Sequence, residues 1–266
     1  MSFKSVFVLF LISIISFHTH SKLLISPTRV VFEENERTEE IVLINTSTQE
    51  LTYRLEWVDK FALPNGGYQD VESTGQAFEH SAADMIRFSP RQVRLKPGER
   101  QLIKLLARRS SSNSKAEYRS HLKFMVIPPE ATVEEAPTEG ISMQLNLFMN
   151  YTVPVMLRTS ENNAEIKITG ASLRKRPDSE KVVLDVDVER KGDMSFLANF
   201  EVYQKGAGPE PIGRLNAVNF FSEINKNSRG ITLTGYDQNI SGDLVIRAVG
   251  AGEYMSVTPQ EFVLRQ

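Results

Sequence analysis

Apolar and polar residues alternate with a period of two over much of this chain. The longest such run is Met143-Gln144-Leu145-Asn146-Leu147-Phe148-Met149-Asn150-Tyr151-Thr152-Val153. Successive side chains of a β-strand point to opposite sides. One face of this ribbon therefore carries Met143, Leu145, Leu147, Met149, Tyr151 and Val153, and the other carries Gln144, Asn146, Phe148, Asn150 and Thr152. Helical spacing does not gather the Gln and Asn residues on one side. Two readings are open: a strand that packs its own core, and a strand whose apolar row is lent to another protein. The flexible thioethers of Met143 and Met149 suit a surface that adapts to more than one shape.

The same alternation recurs before and after this stretch. Residues 24–32 read as an edge-type first strand, with Pro27 where a ladder N–H is not needed. Further strands are expected over 40–45, 51–58, 101–107 and 118–127. Lys96-Pro97-Gly98-Glu99 places Pro and Gly where a type II turn requires them. Residues 63–78, rich in Gly, Gln and acid, form a long loop or weak hairpin in this reading. Residues 128–140, with several Glu and Pro and little to bury, predict an acidic loop directly before the alternating ribbon. The polar stretch 159–163 is the natural domain boundary. Beyond it, strands are expected over 165–169, 181–189, 196–203, 212–217, 231–234, 243–249 and 262–265, and Gly206-Ala207-Gly208 and Gly250-Ala251-Gly252 read as turns. Short strands at this spacing, joined by Pro/Gly/Asn turns without an amphipathic helix, predict an all-β protein.

Composition narrows the class. The 266 residues suffice for two domains, each with its own core. A formal net charge of -2, with scattered basic residues, argues against nucleic acid as a partner. Lys4 precedes an apolar run from Val6 to Phe17, and Thr19 and Ser21 supply the small residues of a cleavage site. Residues 1–21 therefore read as a secretory leader, with an apolar run too short to span a bilayer comfortably. The absence of cysteine excludes disulfide staples and thiol catalysis, so stability must come from the size of the cores. An exported, Cys-free chain with large cores points to a Gram-negative periplasm.

Candidate chemistry is sparse. Outside the leader only His80 and His121 occur, too little for a His/Cys metal cluster or a His-based triad. His121, alone in a strand, reads as structural or solvent-facing. Glu79 and Asp84 have no spacing that marks a catalytic carboxylate pair. The sequence offers no enzyme site and calls for no cofactor or metal.

Several segments, taken in order, resemble the periplasmic chaperones of chaperone–usher pilus assembly, the PapD-like family. They are Thr28-Arg29-Val30-Val31-Phe32, then Phe88-Ser89-Pro90 with Val93-Arg94-Leu95-Lys96-Pro97-Gly98-Glu99-Arg100-Gln101. Tyr118-Arg119-Ser120, Lys123-Phe124-Met125-Val126-Ile127-Pro128-Pro129, the acidic loop and the alternating strand follow. The resemblance covers about residues 24–158 and implies two immunoglobulin-like β-sandwich domains in a boomerang arrangement. The division would be a leader at 1–21, a first domain with the donor strand at 22–158 and a second sandwich at 159–266.

The resemblance also implies a non-enzymatic function. Such a chaperone stabilises pilus or fimbrial subunits by donor-strand complementation and delivers them to an outer-membrane usher. The donor residues would be Met143, Leu145, Leu147 and Met149, with Tyr151 continuing the row. Arg29 matches the first of two basic residues that grip the subunit's C-terminal carboxylate. The second, a Lys before the hinge in the best-known members, is replaced here by Pro154; Arg119, Lys123 and Arg158 are the candidate substitutes. This departure suggests a divergent, archaic or alternative branch. Free of a subunit, the apolar row is a liability, so self-association is a further expectation. The rival readings are a two-domain structural pilin or adhesin and an exported carbohydrate-binding sandwich module.

Overall fold

A computed structural model describes residues 23–109, 114–128, 149–176, 179, 181–236, 240 and 242–265. The leader, the acidic loop from Pro129 onward and the donor candidates Met143, Leu145 and Leu147 lie outside the described residues.

Eleven strands build the first part of the chain: β1 (Leu23–Ser26), β2 (Val30–Phe32), β3 (Thr38–Asn45), β4 (Leu51–Val58), β5 (Lys60–Ala62), β6 (Tyr68–Asp70), β7 (Ile86–Ser89), β8 (Gln92–Leu95), β9 (Arg100–Ala107), β10 (Glu117–Ile127) and β11 (Tyr151–Arg158). Two sheets, ordered β1-β3-β9-β7 and β2-β11-β10-β4-β8, face each other, and β5 and β6 form a separate hairpin. Between the sheets lie Phe32, Leu43, Tyr53, Ile103, Leu122, Phe124 and Val155, all fully buried. Trp57 closes one end, its ring edge-on to Phe88 and its Nε1–H donating to the Ile86 carbonyl at 3.0 Å. At the expected turn, Gly98 has φ +74° and the Glu99 N–H donates to the Lys96 carbonyl at 3.0 Å.

The first strand differs from expectation. Residues 24–32 do not run as one strand but split at Pro27-Thr28-Arg29. β1 pairs antiparallel with β3 in one sheet, and β2 pairs parallel with β11 in the other. Proline cannot donate to the ladder, so the chain leaves one sheet at that point and crosses to the opposite one. The crossing lifts Arg29 out of both ladders. Segment 63–78 supplies the turn and second strand of the β5–β6 hairpin, followed by a 3₁₀ turn at Val71–Thr74.

Seven strands build the second part: β12 (Glu165–Lys175), β13 (Val182–Lys191), β14 (Phe196–Gln204), β15 (Gly213–Phe220), β16 (Lys226–Leu233), β17 (Leu244–Gly250) and β18 (Gln260–Leu264). Sheets β12-β13-β16 and β15-β14-β17-β18 enclose a second core that includes Leu184, Val186, Phe196, Phe200, Phe220 and Ile246. Asp185 and Asp187, on the polar side of β13, face outward, as alternation demands. The link between the two parts is tied back to the first, with the Thr159 N–H donating to the Ala116 carbonyl at 2.9 Å.

Candidate functional site

One stretch of β10 breaks the rule that a strand shows one face to water. From Glu117 to Leu122 every residue is buried. Tyr118, Leu122 and Phe124 face the first core. The opposite row, Glu117, Arg119 and His121, is covered by the second sandwich. The paired row on β11 is Arg158 across from Glu117, Met156 across from Arg119 and Pro154 across from His121. Three polar side chains and three from β11 thus form one wall of the interface between the two sandwiches.

The inner end of this wall is an ion network. Arg158, wholly buried, places Nε 3.3 Å from Glu117, Nη1 2.6 Å from Glu33 and Nη2 2.9 Å from Glu253. Its Nη2 also donates to the Tyr254 hydroxyl at 2.9 Å, and that hydroxyl donates to the Ser195 carbonyl. Glu117 accepts from the Ser195 N–H at 3.0 Å and from its hydroxyl at 2.9 Å. Burial opposes the Arg158 charge, but Tyr254 and the three carboxylates outweigh it and hold its pKa above the ordinary arginine range. The Tyr254 hydroxyl is pushed up to about 12, chiefly by burial. Glu253 and Tyr254 arrive on a tight turn after β17. A side-chain carbon at Gly250 would meet the Tyr254 carbonyl at 2.0 Å, so only glycine allows this approach. The glycine-rich turn 250–252, legible in sequence only as a turn, is thus what seats two cleft residues.

Arg29 lies at the edge of the network. Its Nη2 is 2.8 Å from Glu253 and 3.2 Å from the Ser195 hydroxyl, and its Nη1 donates to Asn219. Nε is buried with no hydrogen-bond partner among the described residues. Burial lowers its pKa, against the pull of Glu253 and Glu117.

A second cluster surrounds Arg119. Its guanidinium sits 3.9 Å from the centre of the Phe221 ring, pairs with Glu223 and donates to the Lys60 carbonyl at 2.9 Å. His121 lies edge-on to Tyr68 and near Phe221, and neither ring nitrogen has a hydrogen-bond partner among the described residues. Burial first, then Arg119 and Lys60, depress its pKa to about 2, so the ring is neutral. The β5–β6 hairpin reaches over this cluster to the second sandwich, where the Ser228 N–H donates to the Pro64 carbonyl at 2.9 Å.

The basic candidates therefore divide. Arg29, Arg119 and Arg158 converge on the interface between the sandwiches; Arg158 is enclosed by its ion partners, whereas Nε and Nη1 of buried Arg119 have no hydrogen-bond partner among the described residues. Lys123 does not: it pairs at 2.9 Å with Glu56 on the outer surface. Of the apolar row, Met149 is 53% exposed, whereas Tyr151 is partly buried against the first core. Among the described residues, no group of three or more His, Cys, Asp or Glu is arranged to hold a metal. Sequence reasoning missed Ser195, Asn219, Glu223, Glu253 and Tyr254, because their role depends on how the two sandwiches meet. For Glu117 there was a signal: a carboxylate opening an otherwise core-forming strand.

Over residues 22–162, just over half of the chain, the sequence matches the family described as pili and flagellar-assembly chaperone, PapD N-terminal domain. No curated protein matches it. Solved structures similar to it include the CupB2 chaperone of Pseudomonas aeruginosa, at 13% identity and TM-score 0.49, covering 90% of this chain and 98% of that one. The complex of the SafA pilin with the SafB chaperone of Salmonella enterica is similar at 14% identity and TM-score 0.47, covering 92% and 97%. The CsuC–CsuE chaperone–tip adhesion subunit pre-assembly complex, from archaic chaperone–usher Csu pili of Acinetobacter baumannii, is similar at 12% identity and TM-score 0.45, covering 91% and 98%. With the family match spanning the first sandwich and the start of the link to the second, this chain belongs to the PapD-like periplasmic chaperones and is a pilus-assembly chaperone.

Proposed function

We propose that this chaperone captures unfinished pilus subunits by lending them the strand that precedes β11. In this reading it grips their C-terminal carboxylate at Arg29 and hands them to an outer-membrane usher. The observation that carries the reading is the outer edge of β11. β2 lies beside it only at Val155, Met156 and Leu157. Among the described residues no strand flanks Thr152, Val153 or Pro154 on that side. The sequence entering this edge is the alternating row of Met143, Leu145, Leu147 and Met149.

A subunit that lacks a strand has an open apolar groove and unpaired backbone groups, and a laid-in strand satisfies both. Burying four such side chains contributes about 6–12 kcal/mol before ordering costs. Because Tyr151 packs on the chaperone's own core, the lent row ends at Met149. Residues 1–21 act as a cleaved leader to the periplasm, and 159–163 act as the hinge between domains at 22–158 and 159–266. Binding and release suffice, with no catalytic step.

Periplasmic extract passed over tagged wild type and Arg29→Ala tests the grip. Wild type is expected to retain a small β-rich exported subunit, and the variant less than about a tenth as much. Equal retention would remove Arg29 from the site.

A further inference from the structure

We infer that Glu253 is a built-in competitor for the subunit's C-terminal carboxylate at Arg29, and that it sets which ligands the cleft admits. The inference rests on Arg29 being the carboxylate grip. A carboxylate is held best by two parallel N–H bonds from one guanidinium. At Arg29 that fork is in use: Nη2 is 2.8 Å from Glu253 Oε1, and Nη1 donates to Asn219. Among the described residues the buried Nε has no partner. Entry of a second carboxylate therefore requires one of the present partners to leave.

Charge points to which one. Arg29 and Arg158 face three glutamates, Glu33, Glu117 and Glu253. Arg190, which also lies in the field of Glu117, balances the third carboxylate, so an added anion creates an excess unless a carboxylate withdraws. Glu117 is buried and held twice by Ser195. Glu33 touches Arg158 but has no bond to Arg29. Glu253 is the one that binds both arginines, and its side chain is 22% exposed. If it swings outward, Arg158 keeps Glu117, Glu33 and Tyr254.

The consequence is selectivity. A bare chain end must displace Glu253 unaided and gains one ion pair for another. A subunit that also pairs along the donor strand brings additional free energy to the exchange. The cleft thereby rejects the many free C-termini of the periplasm.

The test uses a short peptide copying the C-terminus of the subunit recovered with wild type, made as free acid and as amide. The free acid is expected to bind Glu253→Gln at least about tenfold more tightly than wild type, because the fraction of open grip rises. The amide should bind both proteins equally weakly, and Arg29→Ala in the Glu253→Gln background should abolish the gain. Should Glu253→Gln fold poorly, Glu253→Asp, with the carboxylate drawn back, is expected to give a smaller gain of the same sign. Unchanged or weaker binding of the free acid by these variants overturns the competitor role. The anchor reading fails separately, if Arg29→Ala alone retains whole subunit as wild type does.

Discussion

Arg158 stands directly across from Glu117 on the neighbouring strand, its Nε 3.3 Å from the carboxylate, and neither side chain reaches solvent. A buried pair of this kind is costly to break from one side, because the remaining charge is left without its partner. Arg158→Met should therefore lower unfolding free energy by about 3–5 kcal/mol. Urea unfolding followed by Trp57 fluorescence measures it, and a loss below about 1 kcal/mol, as for an exposed pair, would contradict the description of the network.

His121 gives the protein an acid sensitivity. Its pKa lies near 2 in the folded protein, against about 6.5 when exposed. The stability associated with the neutral, buried ring is complete above about pH 6.5 and is lost as pH falls from there towards 2. Between pH 6.5 and 5 the loss is about 2 kcal/mol. Lys60, Arg119 and Tyr68 surround this site, and Glu223 pairs with Arg119. In His121→Phe the fall between pH 7 and 5 should be smaller by about this amount. Parallel pH dependence in the two proteins would assign the acid loss elsewhere.

Gly66 fits the β5–β6 hairpin onto the second sandwich. Its φ is +93°, and a side-chain carbon there would come within 3.1 Å of Arg229 Nε. Gly66→Ala should cost about 1–2 kcal/mol from the left-handed backbone alone. The hairpin would lift, and the Ser228 N–H, which now donates to Pro64, should exchange with solvent faster. Unaltered exchange at Ser228 would show that the hairpin does not depend on this approach.

The strands were legible because their periodicity is local. Residues 51–58 alternate as Leu51, Tyr53 and Leu55 inward, and the structure buries those three. The break at Pro27 was visible as a proline but not as a change of sheet, since the partners of β1 and β2 lie on β3 and β11, far along the chain. Arg29 was legible from its motif. The residues that hold it were not: Asn219 and Glu253 are 190 and 224 positions away, and only the meeting of two sandwiches joins them. Glu117, Arg119 and His121 show the same limit. In sequence His121 reads as structural or solvent-facing, Arg119 only as a candidate anchor, and Glu117 lies just before the expected strand; all three are buried because a second domain covers that face.

The central claim is that residues 143–149 are lent to a subunit. The most direct measurement is a tagged pull-down from periplasmic extract, with mass spectrometry, comparing wild type with a Leu145→Glu/Leu147→Glu variant whose unfolding midpoint is unchanged. The account predicts that a small exported β-rich subunit is recovered with wild type and lost with the variant. Recovery of the same subunit in equal amount with both would place the lent strand elsewhere and contradict it.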